Sequence, residues 1–159
     1  MRKNLLAVCA GACAVVATPA LATTFPSLTT IYIVTGVKDS GDAMNVGVAM
    51  AVQCSNVSGV TTTVRFLVLN FNGAVLNSVT HANVTHGDTI EHSTHSTNAY
   101  SNESTNLIPG TILSAGVLNI ESLQSGVFCT AAIIDASAAA PEGVTPHIVR
   151  VNPHPGSVE

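Results

Sequence analysis

The chain has 159 residues with five Lys+Arg against nine Asp+Glu, a formal charge of −4, and only 9% of it is charged. So few cations cannot neutralise a run of phosphates, which argues against binding to nucleic acid and adhesion to anionic lipid. With 4% aromatic residues and no Trp, a stacking cleft for sugars is equally unsupported.

The N-terminus opens on a short basic segment, Met1-Arg2-Lys3-Asn4, followed by an apolar run from Leu5 to Ala17. Pro19 breaks the run, and Ala20-Leu21-Ala22 supplies the small residues that signal peptidase accepts. Residues 1–22 read as a secretory signal peptide cleaved after Ala22. A permanent anchor needs about 20 continuous apolar residues, more than are present, so no stable membrane insertion is expected after cleavage. Neither Cys9 nor Cys13 sits in a proper lipobox. Cleavage leaves 137 residues, a length that suits one domain with one core. Lys38, Arg65 and Arg150 are then the remaining cations, and the formal charge becomes −6. Of the four cysteines, Cys54 and Cys129 survive, and an even pair in an oxidising compartment is expected to form a disulfide. Closing so long a loop is worth roughly 4 kcal/mol.

Residues 23–28 read as a flexible leader, and Thr29–Val37 as a first strand. Lys38-Asp39-Ser40-Gly41-Asp42 is a turn cluster. From Met44 to Cys54 the chain alternates: Met44, Val46, Val48, Met50, Val52 and Cys54 share one side, and small or polar residues take the other. That pattern predicts a central strand with Met44–Cys54 as its core face. Val60–Phe71 is a third strand, with Val64, Phe66 and Val68 on one face and Arg65 on the other. Asn72-Gly73 signals a hairpin, and Ala74–Thr80 should return antiparallel. Residues 81–106 are dominated by His, Ser, Thr and Asn, and one or two polar strands are expected there. Their core contacts should come from Thr89-Ile90 and Asn98-Ala99-Tyr100. Thr111–Ile120 is another strand. Gly126–Asp135, nearly apolar on both faces, predicts a central buried strand. Asp135–Ala140 allows one helical turn, and Val144–Asn152 is a last strand whose Pro146 argues for an edge. Residues 153–159 form a tail.

Strands at this spacing, without a helical period, predict an all-β two-sheet sandwich over residues 29–152, immunoglobulin-like or jelly-roll-like. In the immunoglobulin pattern a disulfide joins the two sheets beneath a large aromatic, a place that Phe66 would suit. The tyrosine-corner position, however, is Val127.

His81, His86, Asp88, His92 and His95 are the most chemically distinctive cluster. Imidazoles with a nearby carboxylate are zinc or copper ligands, but this spacing matches no defined motif. The simpler reading is a solvated polar segment, with no cofactor. Asp39, Asp42 and Asn45 offer oxygens for calcium, although a plain Asp/Gly turn accounts for them better. No Gly-x-Ser-x-Gly elbow and no Gly-rich phosphate loop occurs, so the chain does not read as an enzyme. Arg65 and Arg150 read as surface charges or as partners of Glu121 or Asp135. The sequons at Asn56, Asn83 and Asn102 read as chance in an Asn/Thr-rich chain.

Four segments, Cys54–Val60, Thr63–Gly73, Cys129–Ala136 and Arg150–Gly156, resemble small exported bacterial β-sandwich proteins of unassigned function. The resemblance covers most of the chain after the signal. It implies a secreted or periplasmic disulfide-linked domain and carries no catalytic or binding residue over. The leading expectation is an exported non-enzymatic module that binds a protein or small ligand, or builds a surface structure. A metal-binding protein using residues 81–95 and a self-assembling fimbrial subunit are the alternatives.

Overall fold

The computed structural model describes residues 27–41, 45–100, 106–108, 110–140 and 143–151. The segments expected as signal peptide and tail lie outside them, as do Asp42, Met44, Asn102, His154 and most of the expected leader. Eight strands and no helix make up the described residues: β1 (Thr29–Asp39), β2 (Val48–Asn56), β3 (Thr62–Leu69), β4 (Val75–Val84), β5 (Thr89–Ser93), β6 (Leu113–Ser122), β7 (Val127–Asp135) and β8 (Ile148–Arg150). They form a five-stranded sheet, β4-β3-β6-β1-β8, and a three-stranded sheet, β5-β2-β7. All strand pairs are antiparallel.

The core lies between the sheets. Val64, Phe66 and Val68 of β3 enter it on the expected alternation, with Val34, Leu118 and Ile120 beside them, and Met50, Val52 and Cys54 close it from β2. Arg65 points outward and pairs with Glu121 on the neighbouring strand. The Asn72-Gly73 hairpin forms with a three-residue loop. Gly73 N–H donates to the Asn70 carbonyl at 3.0 Å, and Gly73 takes the left-handed conformation, φ 83°. This is a type I turn followed by a left-handed residue rather than a two-residue turn.

Three expectations are corrected. The core face of β2 begins at Met50, because Asn45 (φ 61°) and Gly47 (φ 79°) kink the chain and leave Val46 and Val48 exposed. The face expected to be open is buried instead. Ala49 and Ala51 pack with Ile134 and Ala136 beneath Ala99 and Tyr100, held where Asn98 N–H donates to the Ala136 carbonyl at 2.8 Å. Small side chains on β2 are what allow a crossing segment to lie this close. Second, β7 is an edge strand, not a central one. Its outer side is covered in part by Val144, which exchanges two backbone hydrogen bonds with Ile133, and Phe128 is exposed. Third, residues after Asp135 form a turn rather than a helical one: the Asp135 carboxylate accepts from Ser137 N–H and hydroxyl. Those bonds, hydroxyl first, hold the carboxyl below its ordinary value.

The Cys54–Cys129 disulfide is present. It joins directly opposed residues of neighbouring strands β2 and β7, with Cα atoms 4.1 Å apart, the close spacing of a non-hydrogen-bonded pair. The bond therefore lies within one sheet, unlike the inter-sheet bond of immunoglobulin domains. β8 does sit at a sheet edge, as Pro146 suggested.

Candidate functional site: the inward histidines

The polar stretch is where the structure departs most from the composition. His92, Ser93, Thr94, His95 and Thr97 are all buried. The reason is backbone pairing that continues past the end of β5. Thr94 N–H donates to the Met50 carbonyl at 2.8 Å, and its hydroxyl accepts from Met50 N–H at 3.0 Å. Leu107 and Ile108 N–H then donate to the Ser93 and Thr94 carbonyls. The hydroxyl of Ser93 donates to the His95 carbonyl at 2.5 Å. Short hydroxyl side chains make this interior possible, because each can meet a backbone group close by. Among the described residues no buried side-chain nitrogen or oxygen lacks a partner.

His92 lies opposite Val52, which puts its ring in the core, edge-on to Phe66 at 4.7 Å between centroids. His81, on β4, lies opposite Val64 of β3 and meets His92 from the other sheet. The two Nε2 atoms are 2.6 Å apart. Burial pushes the His81 imidazole below its ordinary value.

His95 is held separately. Its Nδ1 is 2.8 Å from Oδ2 of Asp39, at the end of β1, and its Nε2 donates to the Val46 carbonyl at 2.9 Å. The other oxygen of Asp39 accepts from Gly41 N–H at 2.6 Å. A carbonyl can only accept, so Nε2 carries a hydrogen, and both ring nitrogens are engaged inside the protein. Neither nitrogen is open to a substrate. Asp39 is thereby committed to His95, which leaves the calcium reading without its first ligand.

The remaining candidates face outward. His86 Nδ1 accepts from Gly59 N–H at 3.2 Å. Asp88 closes a turn by accepting from the Thr85 hydroxyl and N–H, and those bonds, hydroxyl first, hold its carboxyl below the ordinary value. Of His81, His86, Asp88, His92 and His95, the fold thus brings together only His81 and His92. Among the described residues no three His, Cys, Asp or Glu converge as a metal would require. Asn56 is another residue whose role the sequence hid. It is fully buried, donating to the Val60 and Val84 carbonyls and accepting from Ser58, so this sequon position is a structural bracket.

Among the described residues, one of the apolar grooves lies at the β3–β4 hairpin. Phe71, 84% exposed, lines it with Leu76 and Ile112, around about 350 Å³ of space. Across the chain, Arg150 donates to the Ser125 carbonyl and lies over the Phe128 ring. No helix among the described residues is long and apolar enough to cross a membrane. Protein-family models, curated proteins and solved structures yield no match to this chain.

Proposed function

We propose that this protein is an exported, disulfide-clamped β-sandwich that serves as a non-enzymatic binding or surface-structural module. The observation that carries the reading is the fate of its acid–base side chains. The buried pair Asp39–His95 spends both ring nitrogens on fixed structural partners, so it has no nitrogen left to take a proton from a substrate. The exposed groove beside Phe71 and Ile112 supports binding as the activity of its surface. The disulfide fits an oxidising compartment, and the basic, apolar, small-residue order of residues 1–22 fits export.

Purified protein should give no turnover on a panel of ester, peptide, phosphoester and glycoside substrates. Turnover that vanishes on substitution of a single side chain would refute this reading. A second reading, metal handling through residues 81–95, is favoured by the His81–His92 contact. Saturable zinc or copper binding by calorimetry is its test.

A further inference from the structure

Among the described residues the two sheets end on four strands, β4 and β8 in the larger and β5 and β7 in the smaller. An edge strand presents unpaired backbone groups, and proteins blunt it with charge, proline, shortness or a covering segment. Three of these edges are blunted. β8 is three residues long and follows Pro146. β5 carries Glu91 at its centre, and Asn106 bridges to Ser93 on its outer side. β7 is bridged by Val144 at Ile133 and ends on Asp135. β4 differs. It is ten residues long, contains no Lys, Arg, Asp, Glu or Pro, and among the described residues pairs with β3 alone.

Two register shifts against β3 bound the regular part of β4. Residues 77–81 pair without a break against 64–68, and a shift lies at either end. The regular part is therefore centred on Val79. Ser78 and Thr80 flank it on the exposed face, while Asn77, Val79 and His81 take the inner one.

We infer that β4 pairs antiparallel with β4 of a second copy of this chain, about a two-fold axis at Val79, joining the two five-stranded sheets into one. This names a partner for the binding or structural module proposed above and rests on that reading. Identical strands paired antiparallel have their two-fold perpendicular to the sheet, so both core faces stay on one side and opposed residues must share a face. With Val79 opposite itself they do. Ser78 of one copy meets Thr80 of the other on the exposed face, a pair that hydrogen-bonds across strands and that symmetry supplies twice. Asn77 meets His81 on the inner face. No like charges come together, whereas β5 paired in the same way would set Glu91 against itself. Beyond the regular part, the exposed Leu76 of one copy comes beside the exposed Ala82 of the other, whose single methyl leaves it room. Backbone hydrogen bonds then fix the register, and Val75 and Leu76 add apolar area. The pairing uses up the β4 edge of both copies, so assembly stops at two chains.

Size exclusion with light scattering, and sedimentation over a range of concentrations, should show the disulfide-bonded protein in a monomer–dimer equilibrium. Ser78→Glu combined with Thr80→Glu sets like charges opposite each other twice, and should raise the dimer's dissociation constant by roughly tenfold. Ser78→Lys combined with Thr80→Glu sets opposite charges at the same two places, and should keep the dimer at least as tight as in the wild type. Both positions are exposed, and circular dichroism checks that each variant is folded. A monomer at every concentration overturns the proposal and leaves the module reading standing, which only turnover in the substrate panel would sink. A dimer that the two glutamates leave intact overturns it, as does growth beyond two chains. Equal loss in both variants overturns the pairing about Val79.

Discussion

At the scale of single residues, the interior is organised by polar side chains that pattern rules place outside. Asp39 and His95 are 56 positions apart in sequence, yet they meet in a site where each is almost wholly screened from water. Removing one member leaves the other as a buried group without its partner, and that loss costs more than the intact pair contributes. His95→Gln or Asp39→Asn should each destabilise the protein by about 3 kcal/mol in denaturant unfolding. Replacing both with apolar residues of similar volume should cost less than the two single losses added. Simple additivity in that double-mutant cycle would show that the pair is not coupled. No local signal in the sequence joins these residues. A histidine in a Ser/Thr-rich run looks solvated because its partners come from other strands.

At the scale of elements, β3 and β2 show why alternation is legible in one strand and misleading in the other. β3 is buried on one face only, and its inward Thr62, Val64, Phe66 and Val68 follow a strict period of two. β2 is buried on both faces along Ala49–Val52, because the segment around Ala99 and Tyr100 crosses its outer side. An alanine there is a small residue chosen for close approach, although in a one-face reading it looks merely tolerated. Val48 lies before the covered part and is exposed. Val48→Thr should therefore change stability by less than about 0.5 kcal/mol. Ala51→Leu should cost about 1–3 kcal/mol through overpacking. Chemical denaturation of both variants checks this, and equal effects would mean that the outer face of β2 is not packed. The same logic explains β7. Its two apolar faces suggested a central strand, whereas at this edge Ile133 bridges to Val144 and Ile134 packs with Ala49, Ala51 and Ala136 beneath Ala99 and Tyr100.

At the scale of the whole molecule, the two sheets are tied together by their shared core and, along one side, by His81 and His92. Burial depresses the His81 pKa from its ordinary 6.5, so the folded state binds fewer protons than the unfolded state below that pH. Stability then rises with pH in this window: the His81 contribution is complete above about pH 6.5 and is lost as pH falls towards the folded value and beyond. Unfolding free energy measured between about pH 7.5 and 5 should decline in the wild type and decline less in His81→Asn. Identical slopes would contradict the assignment. The depressed carboxyls of Asp88 and Asp135 act at lower pH, since their contributions are lost only as pH falls through and below the ordinary aspartate value of 3.8. On its own, the sequence determined the all-β class, most strand positions, the β3–β4 hairpin and the Cys54–Cys129 pairing. Each of these follows from local periodicity, turn chemistry or elimination among few cysteines. Only the tertiary structure decided the strand order, the placement of the disulfide within one sheet, the burial of His92–His95 and the meeting of His81 with His92. These depend on which strands become neighbours and which segment crosses a face, contacts between residues far apart in the chain that no local pattern encodes.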